Sequence, residues 1–351
     1  MDFTANFDII KILLLGTVAF IMTIALTPIL THYLYKYKLG KQIRTSDQAP
    51  VYSKLHAKKS GTPTMGGILI WFTTLIMALF FFYLAKITDI SFIEKLNFLT
   101  RGETLLPLGA LVASAIVGLL DDLFNIRKVG PHGGGLTVKH RLLFYTIIAI
   151  FGAYWFYAKL DWDVIHIPFM GNFEIGLWYI PLAIFVIVAT SFSVNETDGL
   201  DGLAGGALLS AFASFAVIAF IQGRFNLATF CIVIVGSLLA FLWFNIPPAR
   251  FFMGDTGAMA LGTTLGIVAM LTNSVIVLPI IGFVLVLESM SVIIQLTSKR
   301  LRNGKKVFIS SPIHHHLEAI GWPESKIVMR FWVISGVTSV LGLILVLIDH
   351  T

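Results

Sequence analysis

The amino-acid sequence predicts an all-α polytopic membrane protein of about ten transmembrane helices, with both termini extracytoplasmic. Three observations predict it. Of 351 residues, 57% are hydrophobic and only 13% are charged, against about 25% charged in a soluble domain. The apolar residues fall into runs near the ~20 residues that cross a bilayer core. The Lys and Arg residues gather in alternate connections between those runs.

The apolar runs are 9–34, 67–86, 104–124, 139–158, 177–193, 201–221, 226–244, 257–272, 276–298 and 329–348. Residues 1–8 lack the basic segment of a cleaved signal peptide, so the first run is expected to stay as a span. Residues 162–176 alternate in polarity around a Gly-Asn pair and read as a small external β-hairpin. The single cysteine, Cys231, lies in an apolar run and excludes an internal disulfide. No internal repeat or soluble domain stands out, so residues 1–351 read as one integral membrane domain.

Charge orients the bundle. Assigned to the nearer face, 19 of the 25 Lys and Arg fall in or beside connections 35–66, 125–138, 194–200, 245–256 and 299–328. Lys11, Lys86, Lys95, Arg101, Lys159 and Arg224 take the other face. The positive-inside rule makes the first face cytoplasmic. The net charge of +6 is spent on that asymmetry, and no nucleic-acid partner is expected.

The residues that suggest chemistry lie at the same face. Asp121 and Asp122 end the third run, in GLLDDLF. Adjacent carboxylates repel, and the negative end of a helix penalises anions. Apolar neighbours add a desolvation cost. A cation or a proton offsets this; the alternative is a solvated pair beyond the helix end. Acids at membrane depth are functional candidates by default. Asn195, Asp198 and Asp201, in SVNETDGLDGLAGG, are spaced i, i+3, i+6 and would share a face on a helix. Capping of the next span explains one of them. Asp255, in FFMGDTGAMALG, either caps the following span or binds a metal. Oxygen ligands without nearby Cys favour Mg²⁺ or Mn²⁺ over zinc.

His314, His315 and His316 follow Ser311-Pro312, which reads as an N-cap and first helical position. Consecutive helical residues point about 100° apart, so the three cannot ligate one ion. Contacts to phosphate or sugar suit them better. Lys59 precedes a Gly/Thr/Pro turn that opens the second run and is a candidate anion partner. Gln295 lies near the cytoplasmic end of the ninth run and is a candidate substrate contact. Glu288, deeper in that run, is expected to hydrogen-bond another helix. The GPHGGG loop at 130–135 lacks the Lys and Ser/Thr of a phosphate-binding loop. Acids, histidines and Lys/Gly turns at one membrane surface suit phosphate chemistry with a divalent metal.

HAKKSGTPTMGG, GLLDDLF, VNETDGLDGLAGG, FFMGDTGAMALG and SPIHHHLEAIGWPESKIVMRFW resemble the phospho-N-acetylmuramoyl-pentapeptide transferases. These are polyprenyl-phosphate N-acetylhexosamine-1-phosphate transferases. The resemblance runs from His56 to Trp332. It implies that undecaprenyl phosphate attacks the sugar-linked phosphate of UDP-N-acetylmuramoyl-pentapeptide, giving lipid I and UMP in peptidoglycan synthesis. It also implies ten helices, Mg²⁺, a homodimer, and a bacterial plasma-membrane location with the active site on the cytoplasmic face. By motif match Asp121, Asp122 and His315 are implied as catalytic, and Asp255 as the Mg²⁺ ligand. Lys59, Thr64, Asn195, Asp198, Asp201, Asn245, Phe252, Gln295, His314 and His316 are implied to bind substrate. Asp122 or Asp121 is expected to take the proton of the lipid phosphate. Direct attack and a covalent aspartyl intermediate both stay open. Glu196 stands where the family has an apolar residue, and Leu123 and Asn125 depart from the residues common after the Asp pair.

Two rivals differ in donor or class. A sibling transferase would use UDP-N-acetylglucosamine. A lipid transporter would carry midplane acids along a path, whereas the acids here gather at one surface.

Overall fold

The computed structural model describes residues 3–40, 59, 61–130 and 134–349. Residues His56 and Lys58 and the centre of the GPHGGG loop lie outside the described residues. Thirteen named helices occur among those described. They are α1 (Phe3–Lys36), α2 (Ile68–Ile87), α3 (Ser91–Leu96), α4 (Leu105–Ile126) and α5 (Val138–Lys159). After a hairpin come α6 (Tyr179–Thr197), α7 (Leu203–Ile221), α8 (Phe225–Asn245) and α9 (Asp255–Leu271). The chain ends with α10 (Leu278–Ile281), α11 (Phe283–Leu301), α12 (Ile313–Ala319) and α13 (Glu324–Asp349).

Eight helices among the described residues are long and apolar enough to cross a membrane. They are α1, α2, α4, α5, α6 with the helical turn before it, α7, α8 and α13. Many large apolar side chains on these helices face outward, including Leu13, Phe80, Phe151, Phe185 and Val333. In water such a surface would drive aggregation; against lipid tails it is the expected exterior.

The eighth and ninth predicted runs take a different form. α9 has only 17 residues, and every residue from Thr256 to Leu271 is buried. It packs against α4 and α6, with further contacts to α2 and α7. Its small residues permit this close approach. A Cβ on Gly262 would stand 2.8 Å from the Ser191 Cα of α6. The predicted run 276–298 is divided at Gly282 into α10 and α11. α11 carries Glu288, Lys299 and Arg300, and its acid is buried within the bundle rather than turned to lipid.

The predicted hairpin forms, with one shift. β1 (Val164–Ile167) pairs antiparallel with β2 (Gly171–Glu174). Gly171 and Asn172 open the second strand, opposite Ile167 and His166, so they are not the turn. The chain reverses at residues 168–170, where Phe169 takes a φ of 66°.

Polar ties hold the hairpin end of the bundle. Lys11 donates to the Asn97 carbonyl at 3.2 Å and to Asn226 at 2.9 Å. Gln222 donates to the Thr272 carbonyl at 2.8 Å. The His166 backbone donates to Asn273 at 3.1 Å, and its ring bonds Asp349 at the end of α13. The candidate site lies at the opposite end.

Candidate active site

Two loops are laced together to make the site floor. The Phe252 amide donates to the Pro63 carbonyl at 2.8 Å; the Gly66 and Gly67 amides donate to Phe252 and Met253, each at 2.8 Å. GTPTMGG and FFMGD, distant in sequence, therefore lie side by side. α4 then packs against the start of α9 so closely that a Cβ at Gly118 would overlap the Asp255 carbonyl. This approach brings Asp121, Asp122 and Asp255 to one place.

Asp122, 2% exposed, accepts the Thr256 amide at 3.1 Å and the Thr64 hydroxyl at 3.3 Å. The Thr256 amide is one of the unpaired donors of the α9 N-terminus, and it favours an anion there. Gly254 completes the cradle. Its φ is 76°, and a Cβ would lie 2.6 Å from both Asp122 Oδ2 and Thr64 Oγ1. Only glycine suits that backbone and that space.

Asp121, fully buried, accepts Arg141 Nε at 2.6 Å and the Leu136 amide at 2.5 Å. The same guanidinium donates to Asn195 at 2.9 Å and to Asp255 at 3.1 Å. Asn195 donates in turn to Asp255 at 2.5 Å. One cation thus joins acids from α4 and α9 to the last turn of α6. Asp255 is the first residue of α9, with Gly254 in the cap position, so its carboxylate serves these partners instead of capping the helix.

A second cluster adjoins. Lys59 Nζ lies 2.6 Å from Asp201 and 2.5 Å from Glu324, and 5.9 Å from the Phe252 ring centre. Burial disfavours its charge, but the two carboxylates more than offset this and raise its pKa. Asp201 also accepts the Ala249 amide at 3.0 Å. Asn195, Asp198 and Asp201 do not share one helix face, because α6 ends at Thr197. Asn195 serves the Arg141 cluster and Asp201 the Lys59 cluster; Asp198 sits at the α6 C-cap.

The side-chain amides of Asn245 and Gln295 bond backbone. Asn245 accepts from Gly202 at 2.9 Å and donates to Phe251 at 2.8 Å. Gln295 accepts the Val307 and Phe308 amides, both at 3.0 Å, and donates to the Phe308 carbonyl at 2.9 Å. Both shape the loops around the site.

The histidines turn inward. α12 starts at Ile313, with Pro312 in the cap position and no side-chain cap, one residue later than expected. His314 Nδ1 lies 2.9 Å from Glu288, the helix-to-helix bond expected of that acid. His315 bonds Glu318 at 2.7 Å. His316 accepts the Ile309 amide at 3.3 Å and packs on Phe308. The three rings therefore point to three partners.

Sequence reasoning passed over Arg141 and Glu324 as site residues. Arg141 was visible only as one more charge on the basic face. Its signal was a cation entering an apolar run at the same face as three acids.

The donor chemistry fits a magnesium ion held largely by substrate. No group of three or more His, Cys, Asp or Glu among the described residues is arranged to hold a metal. Mg²⁺ needs only one or two carboxylates when phosphates complete its shell. Asp255 and Asp121, both within reach of one guanidinium, offer such oxygens.

A helical membrane bundle with acids and cations gathered at one end belongs to a recognised class. Residues 104–273 match the family model described as glycosyl transferase family 4. Residues 59–70 match signature 1 of the phospho-N-acetylmuramoyl-pentapeptide-transferases. Proteins of that name align along nearly the whole chain. One from Chloroflexus aggregans is 38% identical, covering 97% of this chain and 91% of its own. One from Bacillus anthracis is 40% identical, covering 95% and 97%. One from Geobacillus thermodenitrificans is 39% identical, covering 93% and 95%. The chain belongs to the phospho-N-acetylmuramoyl-pentapeptide-transferase family.

Proposed function

We propose that this chain transfers phospho-N-acetylmuramoyl-pentapeptide from its UDP derivative to undecaprenyl phosphate, giving lipid I and UMP. The observation that carries this reading is the joining of Asp121, Asn195 and Asp255 by Arg141 beside the Lys59 cluster. Donor and acceptor are both phosphate anions, and their approach needs cations held in place before reaction. Arg141 and Lys59 are such cations, oriented by carboxylates from several helices.

An oxygen of the lipid phosphate attacks the sugar-linked phosphorus. A P–O bond forms there, and the bond to UMP breaks. One of the paired acids, Asp121 or Asp122, takes the proton of the attacking phosphate. Asp255, with Asp121 near it, would hold Mg²⁺. When bound, that ion screens the phosphate charges and stabilises the developing negative charge. Phe252, Asp198, Asp201, His315 and His316 surround the substrate in this reading, with the buried Thr64 and His314 beneath them.

We further infer ten crossings, counting α9 and the broken α10–α11 segment, with both termini outside. The site then opens to the cytoplasm of a bacterial cell, where nucleotide-sugars are made. The excess of Lys and Arg at that end supports this orientation.

The test is UMP release by purified protein given both substrates and Mg²⁺. Asp255→Ala and Asp122→Asn should each abolish it while the protein stays folded. Full activity in both variants would refute the site. A phospho-sugar adduct trapped on an aspartate would replace direct attack with a two-step route.

A further inference from the structure

Glu288 lies in α11, outside the acid clusters, and has been given no part in the reaction so far. Its carboxylate and the His314 ring are both completely buried. A buried acid on an apolar helix is costly unless paired. Here the pairing is half complete. Glu288 Oε2 and His314 Nδ1 bond at 2.9 Å. Glu288 Oε1 and His314 Nε2, both buried, have no hydrogen-bond partner among the described residues. A bond serving only adhesion between helices would leave no such pair of orphans, since buried polar atoms are nearly always satisfied.

The orphan nitrogen has a direction. A Cβ added to Gly199 would overlap His314 Nε2. The ring therefore lies against the 195–202 segment, the end of α6 and the turn after it, whose Asn195 and Asp201 enter the two site clusters. Beside Glu288, Ser193 donates to Ser289 at 2.9 Å and ties α6 to α11.

We propose that Glu288 is a positioning residue: its bond to His314 Nδ1 keeps the imidazole protonated and aims Nε2–H at the 195–202 segment and the anionic groups held there. This rests on the transferase reading above. With Nδ1–H donated to the carboxylate, Nε2 is the atom left for that segment. A cationic N–H there favours the phosphates of a nucleotide donor. The charged groups facing the ring are Glu288 from α11, Glu318 from α12 and Glu196 from the end of α6. The His315 ring lies 4.1 Å away. Burial works against charge on His314, but these acids more than offset it and raise its pKa. Glu196, which departs from the family pattern, thus adds to the field that favours the imidazolium.

Two readouts test this on the full-length protein. The first is UMP release against pH for wild type, Glu288→Gln and Glu288→Asp. Activity needs the protonated ring, so it falls as pH rises through the His314 pKa. Removing the carboxylate charge should move that alkaline limb to lower pH by about one unit or more. Glu288→Gln should also lose about tenfold or more in kcat/KM at neutral pH. Glu288→Asp, which keeps the charge, should recover part of both. If Glu288→Gln does not fold, Glu288→Ala carries the comparison, and a limb and rate equal to wild type overturn the proposal. The second readout is the ¹⁵N spectrum of histidine-labelled protein, with His314 identified by its loss in His314→Gln. The His314 ring should titrate at lower pH in Glu288→Gln. An unchanged limb with an unchanged His314 titration overturns the proposal. So does a loss of rate that is equal at every pH while His314 titrates as in wild type, because that is a purely structural effect. Wild type that releases no UMP would refute the transferase reading instead, and the spectrum would still show whether Glu288 governs His314.

Discussion

A carboxylate at the start of a helix is commonly held by that helix. Asp255 is held by α5 and α6 through Arg141 and Asn195. The value of this arrangement lies in Arg141, which touches Asp121, Asn195 and Asp255 at once. Arg141→Met should leave two acids facing each other without a cation and reduce kcat/KM about 10²-fold or more. Arg141→Lys should fall between, because an ammonium keeps the charge but not the planar fork that serves three partners. Steady-state UMP release from the two variants checks this; equal rates in both would show that the fork is not used. The acids were legible in the sequence because carboxylates at the ends of apolar runs are costly and therefore conspicuous. Arg141 was not, because a basic residue at a cytoplasmic helix end is ordinary. Gln295 was legible as a polar residue near the site and Asn245 only through the family resemblance, but their bonds to backbone depend on which loops fold over them.

Helices were readable where apolar length alone defines them, as in α7 and α8. They were less so where packing decides. α9 is short because it is enclosed by other helices and need not meet lipid. The run breaks at Gly282, and beyond the break α11 turns Glu288 inward. The hairpin turn was misplaced by the Gly-Asn pair, which sits in β2 while residues 168–170 reverse the chain. This element has a pH dependence of its own. Burial disfavours the charged His166 ring, but bonds to Asp349 and Asn172 more than offset this and raise its pKa. The fold therefore favours the protonated ring. Its contribution is fully present below the ordinary value of about 6.5 and is lost as pH rises through the higher folded value. The melting temperature of wild type should exceed that of His166→Gln by most in mildly acid solution, and the gap should close in alkali. Thermal unfolding of both proteins across pH measures it, and a gap that widens in alkali would contradict the clamp.

At the scale of the whole molecule, one end collects cations and acids while the other carries the hairpin. The helical membrane-bundle class was legible because composition is a global property that no single contact can disguise. The orientation makes a direct prediction. A cysteine reagent unable to cross membranes should label Phe169→Cys in intact cells and Lys306→Cys only after the membrane is opened. The native Cys231 is buried and serves as the silent background. Labelling of both sites from outside would contradict the topology.

Donor discrimination tests the central claim most directly. Purified protein in micelles with undecaprenyl phosphate and Mg²⁺ is offered UDP-N-acetylmuramoyl-pentapeptide or UDP-N-acetylglucosamine, and UMP and lipid product are measured together. The account predicts equal amounts of UMP and lipid-linked phospho-sugar from the first donor and none from the second. UMP from the second donor alone, or from neither with folded protein, would contradict it.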